Sequence, residues 1–159
     1  MYIVLIINIV LFLVYNLYII HKYHIPSSLS ETAYLLDKQY WLFTILCLLT
    51  SFSILPIWFE IGSSDWNFLK FLSIIGLIFT GVTPFFKKGL DQKIHYTASI
   101  LTCVCFLTWL GLNGFWWTLG IGTGIFAILT AIDYKNVVYY GELACWLGLL
   151  VQLLISSFC

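Results

Sequence analysis

Six long apolar stretches take up almost the whole chain, and they decide which solvent it folds in. Their approximate bounds are 2–20, 40–61, 68–85, 94–112, 115–132 and 142–158. Each approaches the ~20 residues that, at ~1.5 Å rise, cross a hydrocarbon core of ~30 Å. Backbone groups left unpaired in lipid are costly, so the stretches are expected to be helices. A transmembrane β-barrel does not fit, because no series of short segments alternates apolar and polar residues with period two. Only 9% of the 159 residues are charged, against about 25% in a soluble domain. So few charges cannot build a water-facing surface. The expected fold class is all-α, a polytopic membrane bundle of six transmembrane helices. It forms one domain, 1–159, with an interfacial segment at 21–39.

The connections carry the orientation. Lys22, Lys38, Lys87, Lys88, Lys93 and Lys135 fall in the first, third and fifth gaps. Only Lys70 is assigned to the second gap, and the fourth has none. Cytoplasmic connections collect basic residues. Those three gaps are therefore expected inside, and both termini on the non-cytoplasmic side. Trp58, Trp66, Trp109, Trp116 and Trp117 would form an outer aromatic belt. Tyr18, Tyr23, Tyr34, Tyr40, Tyr96, Tyr134, Tyr139 and Tyr140 would form an inner one. The first stretch has no basic run before it and no small-residue cleavage site after it, so it reads as a retained helix.

Several function classes drop out. Net charge is zero and arginine is absent. That excludes a basic nucleic-acid surface and a bidentate guanidinium clamp. The cysteines Cys47, Cys103, Cys105, Cys145 and Cys159 form no CxxC pair or zinc knuckle and read as small apolar fillers. Gly120-x-x-x-Gly124 lacks the strand and the Lys-Ser/Thr of a phosphate loop. Carboxylates and histidines are expected only at the ends of stretches, which argues against an ion-coupled transporter. Asn8, Asn16 and Gln152 are the deep amides, read as interhelical hydrogen-bonding groups or, in the sharper alternative, as ligand contacts.

Helices in lipid associate through close approach and polar contacts, because apolar burial gains little there. Small residues at helical spacing should therefore mark contact faces. The fifth stretch offers Gly120, Gly124, Ala127 and Ala131. The third offers Ser73, Gly76, Thr80 and Thr83, and the sixth Gly141, Cys145, Gly148 and Gln152. All three stripes are expected to face the interior.

Polar residues gather on the inner side. Ser28 followed by Glu31 is a capping-box pattern, with Pro26 just before it, which predicts a short helix from about Leu29 to Lys38. Asp91 and His95 lie at i and i+4 on one helix face, and Ser99 continues it one turn deeper. The plain reading is a helix cap and an interfacial histidine. The functional one is a polar pocket of Ser28, Ser30, Glu31, Asp91, His95, Ser99 and Glu142. His21, His24 and His95 share that side, but their spacing is not a metal motif, and neither a metal nor a cofactor is expected. Ser28 or Ser30 with His95 and Asp91 imitates a hydrolase triad, without a nucleophile elbow or oxyanion loop.

The stretches Ile25-Pro26-Ser27-Ser28-Leu29-Ser30-Glu31-Thr32, Trp41-Leu42-Phe43-Thr44, Leu55-Pro56-Ile57-Trp58-Phe59-Glu60 and Lys93-Ile94-His95-Tyr96 resemble small uncharacterised six-helix membrane proteins of bacteria and their phages. That resemblance implies a fold and an inner-membrane location, and lends no activity. The histidine at the inner end of the fourth stretch is faintly similar to the DRAM-like membrane proteins. The Ser/Asp/His set superficially resembles the ceramidase-like membrane hydrolases, from which this chain departs by lacking a seventh transmembrane helix and its paired histidines. The leading expectation is a non-enzymatic membrane protein whose polar inner rim binds lipid headgroups, a partner protein or a second copy. A metal-assisted lipid hydrolase using His95 and Asp91, and a small carrier or channel, are the alternatives.

Overall fold

The computed structural model describes residues 2–36, 39–85 and 91–158, the side chains of 85, 91 and 92 excepted. Lys38, Lys87, Lys88 and the Asp91 carboxylate therefore lie outside the described residues. Seven α-helices run through the described residues, joined by short 3-10 turns and without a strand. They are α1 (Tyr2–Tyr23), α2 (Glu31–Leu35), α3 (Trp41–Glu60), α4 (Asn67–Val82), α5 (Asp91–Leu112), α6 (Trp116–Ile132) and α7 (Val137–Ser156). Five helical spans are long and apolar enough to cross a membrane: those of α1, α3, α4, α5 and α7. The sixth apolar helix, α6, has 17 residues.

Helices α1, α3, α4, α5 and α7 close a ring, and α6 lies outside it against α7 and α5. The interior side of α1 is Leu5, Asn8, Phe12, Tyr15, Asn16 and Ile19, a stripe at spacings of three and four that puts one helix face inward. The deep amides on that stripe bond across the bundle. Asn8 Nδ2 donates to Ser53 Oγ on α3 at 2.9 Å, and Asn16 Oδ1 accepts from the Tyr139 hydroxyl on α7 at 2.9 Å.

The closest backbone approach is made by α4. A Cβ on Gly76 would run into Thr102 Oγ1 and come within 2.7 Å of the Ala98 carbonyl on α5, while one on Gly81 would meet Cys47 Cβ on α3. Both glycines are required by that packing. Ser73, Thr80 and Thr83 are buried on the same helix side, as the spacing predicts. Ser73 Oγ donates to the Thr102 carbonyl at 2.9 Å, tying α4 to α5.

Four readings are corrected. Lys70 is not a connection residue; it lies inside α4, with no exposed surface. Its Nζ donates to the Ile61 carbonyl at 2.6 Å and lies 5.7 Å from the Trp109 ring centroid. The last carbonyls of α3 have no partner within their own helix, and the lysine supplies one. Trp58 and Trp109 are not belt residues either. Both are wholly buried and pack edge to face at 5.3 Å, a geometry that aligns the positive ring edge with the neighbouring face. Tyr139 and Tyr140 are likewise buried. Finally, Gly120, Gly124, Ala127 and Ala131 face outward, and a Cβ on either glycine would meet nothing within 4 Å. The larger Leu119, Phe126 and Leu129 turn that helix toward the core instead.

Candidate functional site

The chain leaving α1 does not lie flat on the bundle end. His24 takes a positive φ of 64°, and its N–H closes on the Ile20 carbonyl at 3.1 Å. This left-handed C-terminal residue reverses the chain. Pro26 follows, and the segment then turns inward. Leu29, Ser30, Thr32, Ala33 and Leu36 are all buried. Inside the segment, Ser28 Oγ accepts from the Glu31 N–H at 3.1 Å. The Glu31 carboxylate accepts from the Ser27 N–H at 2.6 Å and the Ser27 hydroxyl at 2.7 Å. The capping box therefore closes, with its return bond shifted one residue from the usual partner. The helix it starts is shorter than expected, at Glu31–Leu35.

Two helices pin this segment. From α1, the Tyr15 hydroxyl lies 2.5 Å from Thr32 Oγ1, which donates to the Leu29 carbonyl at 2.5 Å. From α7, the Tyr139 N–H donates to the Ser27 carbonyl at 3.2 Å. Glu142 Oε2 accepts from the Leu29 N–H at 2.6 Å, and the carboxylate also accepts from the Ser30 N–H. Glu142 sits in the second turn of a helix that starts five residues earlier than its hydropathy suggests. That difference turns a residue expected at a helix end into a partly buried carboxylate facing a folded-back loop. Charge-assisted bonds to backbone N–H groups are what make such burial affordable.

The structure thus brings Ser28, Ser30, Glu31 and Glu142 together. His95 and Ser99 form a neighbouring group between α4 and α5. Ser99 Oγ lies 3.3 Å from His95 Nε2 and 3.3 Å from Thr80 Oγ1, and His95 Nδ1 lies 3.4 Å from Thr83 Oγ1. A small cavity of about 50 Å³ borders Ser30, Ser99, Thr80 and Glu142 and so touches both groups. Among the described residues no group of three or more His, Cys, Asp or Glu is placed to hold a metal ion. His21 and His24 are exposed, whereas His95 is buried.

Beside this polar end opens a larger cleft of about 520 Å³, walled by α5, α6 and α7. Its lining includes Ser28, Ser30 and Glu142 at one end. Leu107, Leu110, Leu119, Phe126 and Val138 make most of the remainder apolar. Gly141, Cys145 and Gly148 of α7 face it, opposite Gly122 of α6. The small residues of α7 therefore leave space rather than seat a helix. Cys103 of α5 and Cys145 of α7 line both this cleft and the smaller cavity. Sequence reasoning missed Tyr15, Thr32, Tyr139, Thr80 and Thr83 as parts of the site. The only advance signal for the first three was polar groups at depth on α1, at Tyr15 and Asn16, which need partners in lipid.

No family model, no curated protein and no solved structure matches this chain.

Proposed function

We propose that this chain is a six-span integral membrane protein, without enzymatic activity, that holds a membrane lipid in the cleft between α5, α6 and α7. The observation supporting it is the 520 Å³ cleft, apolar along most of its wall and polar at the one end formed by Ser28, Ser30 and Glu142. Acyl chains suit the apolar wall. Hydroxyls and a carboxylate suit a head group that donates hydrogen bonds. The sixth span is α6, whose 17 residues cover about 26 Å at 1.5 Å each, close to the ~30 Å core with modest local thinning. Lys38, Lys87, Lys88 and Lys135 fall between helices on one side, Lys22 and Lys93 lie in the helix turns next to that side, and Lys70 is the one lysine nearer the other, so the asymmetry stays six against one. That supports a cytoplasmic location for the polar end and non-cytoplasmic termini in a bacterial inner membrane.

Lipid analysis of the protein purified in mild detergent tests this reading. The wild type should retain a defined lipid. Gly122→Leu should lose it while unfolding at an unchanged temperature, since a Cβ there meets nothing within 4 Å and points at the cleft. A wild type that carries no lipid, or a variant that carries the same lipid in the same amount, would sink it.

A further inference from the structure

The cleft has a counterpart at the far end of the bundle. A second cavity of about 450 Å³ is bordered by Glu60, Gly114, Thr118, Gln152 and Ser156. Thr118 lines both cavities. Where they meet, Thr118 Oγ1 donates to Gln152 Oε1, and Gln152 Nε2 donates to Ser156 Oγ at 2.7 Å. The side of α7 running past both is Glu142, Cys145, Gly148, Gln152 and Ser156, at spacings of three, three, four and four, hence one helix face. Glu142 to Ser156 is about 21 Å along the axis, some two thirds of a ~30 Å hydrocarbon core. The facing wall, α6, has no buried residue.

We propose that the two cavities are halves of one transverse groove that carries a lipid head group between the two membrane surfaces. The acyl chains stay in the bilayer, and the Thr118–Gln152 bond is the gate between the halves. The inference rests on the reading that the cleft holds lipid, and adds movement to binding. A polar head crossing bare hydrocarbon leaves its hydrogen-bonding groups unpaired, at several kcal/mol each. Ser28, Ser30 and Glu142 offer replacement partners at one end and Thr118, Gln152, Ser156 and Glu60 at the other, with the Thr123 hydroxyl of α6 between them. Carboxylates stand at both ends, and among the described residues no lysine lines either cavity. The groove therefore suits an uncharged or zwitterionic head over a net anionic one.

The test is full-length protein in phosphatidylcholine vesicles carrying a trace of phosphatidylethanolamine with a nitrobenzoxadiazole label on a short acyl chain, bleached from outside by dithionite. Wild type should lose most of the label, beyond the outer-leaflet share. Gln152→Ala, which removes the gate bond, should lose it several-fold faster. Gly148→Leu should fall back to the rate of empty vesicles, because Gly148 faces the cleft and a Cβ there meets only the Phe106 ring, at 3.9 Å. Circular dichroism and gel filtration check that each variant is folded. Bleaching that stops at the outer leaflet in both wild type and Gln152→Ala overturns the groove. If lipid still co-purifies and is lost in Gly122→Leu, the binding reading survives that failure. A phosphatidylglycerol with the same acyl label that crosses as fast as the ethanolamine lipid overturns the head-group preference.

Discussion

Along α4, Ser73, Gly76 and Thr80 are spaced by three and four; along α6, Gly120, Gly124 and Ala127 are spaced by four and three. The first set is buried against α5, and the second faces away from the bundle. Flanking bulk does not distinguish them, because both helices also turn large apolar residues outward, Phe68, Phe71 and Phe79 on α4 and Ile121, Ile125 and Ile128 on α6. The difference lies in the hydroxyls. Ser73 bonds the Thr102 carbonyl, and Thr80 lies against Ser99. The α6 stripe has only glycine and alanine, with nothing to offer a partner. In lipid, small residues permit approach, but a polar contact is what holds the approach in place.

The sharpest way to break this comparison is to put the same β-branched side chain on both helices. Gly76→Val must displace the Thr102 side chain or the α5 backbone around Ala98. Such overpacking costs about 1–3 kcal/mol, and more when backbone has to move. Gly124→Val meets open space and should stay within about 0.5 kcal/mol of wild type. Thermal unfolding of both variants in one detergent decides the matter. Equal losses would mean that the α6 stripe is also packed, against a neighbour outside the monomer.

The same contrast explains what could be read from residues alone. Five helices long and apolar enough to cross a membrane, a shorter sixth apolar one and the α4 stripe were legible, because length, composition and hydroxyl spacing are local properties. The outward α6 stripe was not, since spacing alone does not reveal that a stripe without hydroxyls yields the inward face to Leu119, Phe126 and Leu129. Glu142 was placed in the polar set, but its role depends on where α7 starts. Val137–Gly141 are apolar or aromatic enough to extend the helix by more than a turn. The folded-back segment at 26–35 was recognised as a capped helix. Its burial was not, because polar residues such as Ser30 and Thr32 read as exposed until Tyr15, Tyr139 and Glu142 are seen to satisfy them. Lys70 was misassigned for a like reason: a lone cation goes inside only when a helix end supplies an unpaired carbonyl.

A smaller effect asks how firmly one buried polar bond ties α7 to α1. Tyr139→Phe removes the hydroxyl that donates to Asn16 Oδ1 and leaves a buried acceptor without it. The expected loss is about 1 kcal/mol, read as a lowered unfolding temperature. Asn16→Leu combined with Tyr139→Phe removes both partners and should recover part of the loss. A double variant that is worse by the full sum of the two single changes would show that the bond is not what couples α1 to α7.

The smallest effect belongs to the corner where α6 passes into α7. Asp133 closes α6 and opens the turn at Tyr134–Asn136. Its carboxylate accepts from Asn136 Nδ2 at 2.7 Å, from the Lys135 N–H at 3.2 Å and from the Tyr140 hydroxyl at 3.2 Å. These donors, the Asn136 amide foremost, hold its pKa below the usual aspartate range. A carboxylate more acidic when folded than when unfolded adds stability above the unfolded value of about 3.9 and loses it as pH falls through the folded one. Wild type should therefore lose a small increment of thermal stability relative to Asp133→Asn between pH 6 and pH 3. Because the group is exposed, solvent and salt screen most of the effect, and the gap between the two proteins should narrow further in high salt. A gap that does not change with pH would mean that α6 is held at this corner by backbone geometry alone, leaving the charge no part in positioning the groove wall.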